Sequence, residues 1–253
     1  MPKRKKNITY NPGSLHTNKD IAATAENLSQ WEPRKGEKDD SILGAEIIGG
    51  LTSRINALFR VIRTTQIKGL DVKTAKVLEV GCGYGDGLRP FILNDFRVQN
   101  LTGIDLMPSR LEVCKERCPG ANYLHLSGHN MKGIKDNQFD IVVEQFAFCH
   151  IPNKELKRKI AQEMLRVLKP GGFILIMDWR LTWKKRNIYG PSNDFLNEIF
   201  YEGNLTKKIV TLPTHIWPNI GNIISKYMLA FYPLFLLIPP FVGARCVLFQ
   251  YKN

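Results

Sequence analysis

The stretch that decides the fold is glycine-rich and reads Val77-Leu78-Glu79-Val80-Gly81-Cys82-Gly83-Tyr84-Gly85-Asp86-Gly87. It begins as an apolar run with one carboxylate, which predicts a short buried strand. Glycine then occupies every second position, which indicates a loop that turns tightly and lets a ligand approach the backbone. Residues 88–93 follow as a candidate helix whose N-terminal amides point toward that loop. A strand, a glycine loop and a helix in this order predict the nucleotide-binding corner of an α/β sheet.

Strands and helices alternate after this corner. Apolar runs predict strands at 101–105, 122–126, 139–144 and 173–178, and helical spacing predicts helices at 108–117 and 154–168. Because strands alternate with helices, we expect parallel pairing with right-handed crossovers. Upstream of the corner, apolar residues at helical spacing over 41–66 predict an amphipathic helix with a candidate break at Gly49-Gly50.

The last third of the chain is less regular. It predicts a helix over 193–201 and strands over 208–212 and 244–251. Between those strands lies the strongly apolar run Ile223–Val242, which contains Lys226 and three prolines. The lysine and the prolines argue against a membrane-spanning helix, so we expect a buried or membrane-surface subdomain.

Composition limits the partners without choosing one. The 253 residues are 43% hydrophobic and suit one α/β domain with additions, or two small domains. The formal net charge of +13 indicates an anionic partner, which leaves nucleic acid, a membrane surface and a phosphorylated substrate open. Residues 1–40 are polar and basic, and we expect a loosely ordered lead-in that Trp31 anchors to the body.

The cysteines indicate reduced thiols in a cytoplasmic protein. There are five, an odd number in irregular contexts, and no pair of zinc-type CxxC motifs occurs. We therefore expect no metal site. The cysteines are Cys82, Cys114, Cys118, Cys149 and Cys246.

Four motifs over residues 77–178 resemble the class I S-adenosylmethionine-dependent methyltransferases, in particular the type 11 group. The quoted glycine stretch is similar to the family's first motif and Gly103-Ile104-Asp105 to its second. The fourth-strand motif is matched by 138–143 with His150-Ile151-Pro152, and the segment before the fifth strand by 165–172. The glycine spacing differs from that of a pyrophosphate-binding loop, and no P-loop lysine follows it.

The resemblance implies a Rossmann-like, doubly wound sheet of seven strands, mostly parallel with an antiparallel last strand. Residues 41–253 then form one methyltransferase domain, with an N-terminal helix at 41–66, a cofactor-binding core at 77–178 and an apolar insertion or lid at 213–243.

The resemblance also implies S-adenosyl-L-methionine as the cofactor and S-adenosyl-L-homocysteine as the product. Asp105 would accept both ribose hydroxyls, since a carboxylate is acceptor-only and can be bidentate. Glu79 would fix the glycine loop, or serve only as its cap. The family usually has an acidic residue near the adenine, which is missing here, so His129, Asn130 or a backbone carbonyl is expected to supply the acceptor. The predicted cofactor-binding residues are Glu79, Gly81, Cys82, Gly83, Tyr84, Gly85, Asp105, Leu106, Met107, His129, Asn130 and Gln145.

The expected reaction is in-line methyl transfer, in which positioning the acceptor supplies much of the catalysis. An oxygen or nitrogen acceptor also calls for a base, and His150 and Glu144 are the predicted catalytic residues. In this family the matching histidine is often structural, so that alternative stays open. Asp178 is a weaker candidate base. Phe146, Phe148 and Trp179 are candidates for the acceptor pocket, with core packing as the alternative.

The acceptor is expected to be a small molecule, a sugar or a lipid-linked compound. The tail resembles family members of surface-polysaccharide and glycolipid pathways, in which case Lys184, Lys185 and Arg186 would meet phosphates. We expect a cytoplasmic protein with peripheral membrane contact as an option. Two alternatives remain: an RNA or protein methyltransferase, which the positive charge motivates, and a non-catalytic cofactor-binding module.

Overall fold

The computed structural model describes residues 45–180, 182–183, 188–201 and 205–252, together with Lys19, Ala22 and Thr24. Apart from those three residues, the predicted lead-in over 1–40 lies outside the described residues. The same holds for Trp31 and for the basic run 184–186.

A seven-stranded sheet forms the centre of the fold and confirms the predicted architecture. Its spatial order is β3-β2-β1-β4-β5-β9-β8. The first five strands of this order pair in parallel, and β9 pairs antiparallel with both of its neighbours. The strands are β1 (Val77–Val80), β2 (Leu101–Asp105), β3 (Asn122–His125), β4 (Phe139–Gln145), β5 (Leu168–Trp179), β8 (Thr206–Ile216) and β9 (Val242–Tyr251).

The strand order reverses at β1, which has β2 on one side and β4 on the other. Such a switch point leaves a crevice outside the carboxyl ends of the parallel strands, where ligands of open α/β sheets bind. The glycine loop begins at this point. The fold thus places the quoted stretch at the one edge of the sheet that is suited to a ligand.

Helices cover both faces of the sheet. The helical elements are α1 (Ala45–Ile67), α2 (Arg89–Ile92), α3 (Pro108–Arg117), α4 (Lys154–Val167), α5 (Asn193–Leu196), α6 (Pro218–Tyr227) and α7 (Tyr232–Phe235). A short π-helix (Asn197–Tyr201) continues α5, and a small ribbon joins β6 (Thr182–Trp183) to β7 (Ile188–Tyr189).

Successive residues of the central strands point to opposite faces and so build two cores. Leu78 of β1 and Met164 of α4 belong to one core. Val77 of β1 and Val61 of α1 belong to the other. The apolar face of α1 therefore covers the sheet, as its helical spacing predicts.

The structure corrects the predicted break in the first helix. Helix α1 runs without interruption through Gly49-Gly50. These glycines allow close packing, because a Cβ on Gly49 would lie 2.4 Å from Cδ2 of Tyr232 and one on Gly50 2.8 Å from Cδ2 of His215. The two glycines are therefore explained by close packing against β8 and α7, which lie far along the chain.

The apolar insertion or lid predicted at 213–243 begins within a strand of the sheet. Residues 213–216 belong to strand β8, and the rest forms short helical segments before β9. No helix in the described part of the chain is long and apolar enough to cross a membrane.

Candidate active site

A cavity of about 240 Å³ opens at the switch point, between the ends of β1, β2 and β4. Ten of the fourteen predicted site residues line it, and Gly85, Met107, His129 and Asn130 do not. The ten are Glu79, Gly81, Cys82, Gly83, Tyr84, Asp105, Leu106, Glu144, Gln145 and His150. The cavity therefore gathers side chains from three strands and from the loops that follow them.

The glycine loop needs glycine for two different reasons. Gly81 has φ of +73°, and a Cβ there would lie 2.6 Å from Cβ of Ala147. Gly83 has φ of +53° and open space where a Cβ would lie. Both backbones are left-handed, a conformation that L side chains rarely adopt. Gly85 also has a positive φ, +82°, and a Cβ there would lie 3.2 Å from Sγ of Cys114.

Asp105 connects the end of β2 to the glycine loop. Its Oδ2 accepts a hydrogen bond from the backbone N–H of Gly83 at 2.8 Å, and its Oδ1 accepts one from that of Met107 at 2.9 Å. The carboxylate is buried and lines the cavity. Each oxygen still has acceptor capacity, because an ionised carboxylate offers about four lone-pair sites.

Glu79 belongs to a buried chain of polar groups. Nε2 of Gln145 donates to its Oε1 at 3.2 Å, and the guanidinium of Arg54 donates to Oε1 of Gln145 at 3.1 Å. The second oxygen of Glu79, Oε2, is buried without a hydrogen-bond partner among the described residues. Burial raises the pKa of Glu79 to about 8, although the charge of Arg54 opposes that shift. The donor to this carboxylate is thus the side-chain amide of Gln145.

The loop after β3 does not place the predicted adenine residues at this cavity. Ser127 and Gly128 line it, whereas His129 and Asn130 line a separate cavity beside Glu163. Nδ1 of His129 lies 2.5 Å from Oγ of Ser127, so the ring is turned toward its own loop.

Tyr84 lies under two arginines. The guanidinium carbon of Arg110 is 5.4 Å from the centre of its ring, and that of Arg117 is 5.6 Å away. Both distances fit cation–π contacts. Tyr84 and Arg110 also line the cavity, so the aromatic ring both faces the site and holds a positive group beside it.

Glu144 organises the loop that follows β4. Its Oε1 accepts the backbone N–H groups of Ala147 and Phe148 at 2.6 and 2.9 Å. Burial and the nearby carboxylate of Asp178 hold the pKa of Glu144 well above its usual range. Asp178 accepts the backbone N–H of Cys149 at 2.8 Å, and burial raises its pKa to about 6. Two buried carboxyl groups therefore fix this loop from beneath.

His150 ends that loop and lines the cavity half-buried. Burial and the positive charge of Arg110 lower the pKa of His150 to about 4. The imidazole is therefore neutral at pH 7, which is the form that accepts a proton.

A wall of aromatic rings continues from the cavity into the C-terminal third. Phe146 lines the cavity, and its ring centre lies 5.9 Å from that of Trp179 and 5.2 Å from that of His215. Trp179 stacks on Trp217 at 6.1 Å. Phe148 also lines the cavity, although its side chain is fully buried in the core. We call Phe146, Trp179, His215 and Trp217 the aromatic wall.

Phe146 has a left-handed backbone with φ of +55°. This conformation is uncommon for a bulky residue and persists only where the surroundings hold it. Here the N–H of Phe146 donates to the carbonyl of Met177 at 2.8 Å, which secures the turn. The strained turn aims the ring along the wall.

Sequence reasoning missed three residues of this region: Arg54, Arg110 and His215. An arginine on the apolar face of α1 was a usable signal for Arg54, because such a group needs a buried partner. His215 carried no local signal. Its neighbours come from β4 and β5, and only the sheet pairing brings them together.

Comparison with known families agrees with this geometry. Residues 78–176 match the family model described as a methyltransferase domain. This core of the chain is therefore similar to a methyltransferase domain. The matched segment begins at β1 and ends within β5, so it contains the glycine loop, Asp105 and the loop after β4.

Two curated relatives share this core. The chain is 31% identical over 113 residues to phthiotriol/phenolphthiotriol dimycocerosates methyltransferase of Mycobacterium tuberculosis, covering 44% of this chain and 40% of the relative. It is 33% identical over 105 residues to 2-methyl-6-phytyl-1,4-hydroquinone methyltransferase of Synechocystis sp., covering 41% and 31%. The matches span less than half the length of either relative.

Among solved structures, the methyltransferase domain resembles the N-methyltransferase NodS of Bradyrhizobium japonicum in complex with S-adenosylhomocysteine. The TM-score is 0.62 at 12% identity, and the match covers 92% of this chain and 99% of NodS. At this identity the likeness concerns the fold.

Proposed function

We propose that this methyltransferase domain transfers a methyl group from S-adenosylmethionine to a small-molecule, sugar or lipid-linked acceptor. The observation that carries the proposal is the cavity where the glycine loop, Glu79 and Asp105 converge at the switch point. When bound, S-adenosylmethionine supplies an electrophilic methyl group on a positively charged sulfur. The family match and the S-adenosylhomocysteine in NodS support this choice of cofactor.

The polar groups in the cavity fit this cofactor. Asp105 keeps acceptor capacity on both oxygens for a pair of ribose hydroxyls. Oε2 of Glu79 lacks a donor, and leaving a buried acceptor unsatisfied costs about 1–3 kcal/mol. A cationic amino group on the methionyl part would satisfy it. For the adenine, we propose contacts with Ser127 and Gly128 in place of His129 and Asn130.

His150 is the group we propose as the proton acceptor in the transfer. Its neutral imidazole lines the cavity at the end of the loop after β4. A low pKa makes it a weak base, so it serves best where the acceptor loses its proton late, as the new bond forms. The alternative is that His150 only positions the acceptor.

Glu144 is better explained as a positioning residue than as a base. One of its oxygens already accepts hydrogen bonds from two backbone amides, so the carboxyl is engaged in holding the loop after β4. Burial and the carboxylate of Asp178 raise the pKa of Glu144, which shows that its environment disfavours the charged form.

The aromatic wall is the proposed entrance for the acceptor. Phe146 reaches from the cavity to Trp179 and His215, and such rings bind apolar or planar groups. The names of the two relatives include a mycobacterial lipid and a phytyl hydroquinone, both with long apolar parts. A lipid-linked or ring-bearing acceptor fits this wall better than a free sugar does.

An RNA or protein methyltransferase is the second candidate, favoured by the net charge of +13. The loop after β4 argues against amino-group methylation of bases, because Glu144-Gln145-Phe146-Ala147 stands where such enzymes have an Asn/Asp-Pro-Pro-Tyr/Phe motif. A cytoplasmic location with peripheral membrane contact completes the proposal.

The proposal is tested in two steps. Calorimetry first measures S-adenosylhomocysteine binding, which we expect at one site per chain. Labelled methyl transfer is then screened on glycolipids, quinols, sugar nucleotides and total RNA. Transfer to an apolar acceptor supports the proposal, and transfer to RNA alone replaces it with the second candidate.

A further inference from the structure

The segment between β8 and β9 carries an unusual concentration of exposed apolar side chains. Nine of the sixteen large apolar side chains exposed among the described residues lie between positions 220 and 238. Two of them, Tyr227 and Leu237, are 72% and 74% exposed. We call the nine the apolar surface: Ile220, Ile223, Tyr227, Met228, Leu229, Phe231, Leu234, Leu237 and Ile238.

This surface is not a loosened piece of core. The same segment has its own small core, in which Ile216, Ile224, Tyr232 and Leu236 are buried. The hydroxyl of Tyr232 accepts the backbone N–H of Ile216 at 3.0 Å, which ties the segment to β8. The exposed side chains therefore point outward from a packed unit. Contiguous exposed apolar surface of this kind marks an interaction site.

The charge around the apolar surface selects its partner. Residues 217–243, which carry the apolar surface, contain Lys226 and no Asp or Glu. Lys226, in the last turn of α6, lies 5.3 Å from the ring centre of Tyr227 on the apolar surface itself. Apolar and aromatic side chains beside a cation, without anions in the same segment, suit the headgroup region of an anionic bilayer.

We propose that the apolar surface docks on a bilayer that contains anionic lipid. The helical pieces are short, and prolines interrupt the segment at 233, 239 and 240, so it lies along the interface and does not span it. A second copy of the chain is the competing occupant. A symmetric contact would bring two acid-free surfaces together and leave Lys226 of each copy without an anion.

Docking there places the bilayer next to the proposed acceptor entrance. Trp217 immediately precedes α6 and stacks on Trp179 of the aromatic wall. The backbone N–H of Trp217 donates to the carbonyl of Phe241 at the far end of the segment, at 3.0 Å. The apolar surface and the wall are thus joined through a short, hydrogen-bonded connection. This part of the inference rests on the proposed function, and the lipid binding itself does not.

Vesicle flotation tests the docking. The protein is mixed with phosphatidylcholine vesicles or with vesicles that also contain about 30% phosphatidylglycerol. The two vesicle preparations are matched in size. We expect flotation with the anionic vesicles and at least tenfold less with the neutral ones. The Leu234→Glu/Leu237→Glu variant should lose at least tenfold of the bound fraction. The matched control is Ile67→Glu/Leu93→Glu, whose side chains are 75% and 74% exposed outside the surface; it should float like the wild type.

Three results overturn the proposal. In the first, the wild type does not float with the anionic vesicles. In the second, the control variant loses as much of its bound fraction as the Leu234→Glu/Leu237→Glu variant does. The third is a wild-type dimer in light scattering that the Leu234→Glu/Leu237→Glu variant converts to monomer without any vesicle binding. S-adenosylhomocysteine affinity of the variant, measured by calorimetry, should be unchanged and shows that it is folded. A wild type that floats but binds no S-adenosylhomocysteine refutes the proposed function and leaves the docking standing.

Discussion

The cofactor core at 77–178 and the C-terminal segment 205–252 contribute strands to one sheet, but their polar and apolar side chains are arranged in opposite ways. In the core, buried carboxylates such as Asp105 and Glu144 each hold backbone amides around a cavity. Residues 205–252 contain no Asp or Glu and expose apolar side chains instead. Under the proposed function, local polar motifs hold the methyl donor, whereas the surface that would meet the acceptor is built from contacts distant in sequence.

The largest expected effect is the loss of cofactor affinity when Asp105 is replaced. If this loss is not observed, the core does not hold the cofactor through Asp105. Asp105→Ala removes hydrogen bonds to a charged acceptor worth about 1.5–3 kcal/mol each. It also frees the N–H of Gly83. We expect S-adenosylhomocysteine to bind at least about 100-fold more weakly in calorimetry, with vesicle flotation unchanged. Glu112→Ala, an exposed carboxylate on α3, is the control; equal affinity in the two variants would remove Asp105 from the site.

Two histidines sharpen the comparison, one in each region. His150→Gln should lower kcat about 100-fold on the acceptor found in the screen, the lower end of general-base effects. His215→Gln, in the aromatic wall, should raise KM for the acceptor with a smaller change in kcat. Neither change should alter S-adenosylhomocysteine affinity. If His215→Gln lowers kcat and His150→Gln does not, the proton-accepting group does not lie in the core.

Because the pKa of His150 is about 4, its imidazole stays neutral across the physiological range. Wild-type kcat should therefore fall only as pH drops toward 4. A midpoint near 6.5 in the pH profile would contradict the buried environment of this ring.

The sequence predicted the core far better than the C-terminal third. Strand β2 and helix α3 have the predicted bounds, because their apolar patterns and Pro108 are local signals. Strand β8 is longer than predicted, since its pairing with β9 extends it to Ile216. The break expected at Gly49-Gly50 was wrong because the reason for those glycines, Tyr232 and His215, lies far along the chain.

In the site, too, features with a local sequence signal were predicted and features that depend on distant contacts were not. Gly81, Gly83 and Asp105 were identifiable from spacing and resemblance, and they line the cavity. The hydrogen bonds from Arg54 to Gln145 and from Gln145 to Glu79 link α1, β4 and β1. These bonds could not be predicted from any single segment of the sequence, because their partners are distant along the chain. His129 and Asn130 failed to reach the cavity because the loop turns after Gly128.

Glu79 provides a pH-dependent test within the core. Its pKa rises from 4.5 to about 8 on folding, so the carboxyl is mostly protonated in the unliganded protein at pH 7. A cationic amino group bound at Oε2 favours the ionised form, and binding must then release a proton. We expect S-adenosylhomocysteine affinity to increase up to about tenfold per pH unit below pH 8. Glu79→Gln should abolish this slope in calorimetry.

Stability supplies the control for Glu79. A raised folded-state pKa means that the contribution of the protonated group is complete below pH 4.5 and is lost as pH rises to about 8. Without ligand, Glu79→Gln should melt like the wild type at pH 5 and at a higher temperature at pH 8.5. The same difference at both pH values would show that Glu79 is not a buried, protonated carboxyl.

The smallest expected effect separates backbone strain from ligand contact. Gly83 and Gly133 both have positive φ, +53° and +93°, and a Cβ at either meets open space. Alanine at each position should reduce the free energy of unfolding by about 1–2 kcal/mol in denaturant titrations. Only Gly83→Ala should also weaken S-adenosylhomocysteine binding, since only Gly83 lines the cavity. Equal binding in both variants would separate the glycine loop from the cofactor.

A crystal structure with S-adenosylhomocysteine tests the central claim most directly. We predict the ribose hydroxyls on Asp105, the amino group on Oε2 of Glu79, and the sulfur open toward Phe146 and His150. Such an arrangement would join the cofactor core to the aromatic wall at the point of methyl transfer. Ligand density outside the cavity, or a reversed ligand with adenine at Glu79, would contradict the account.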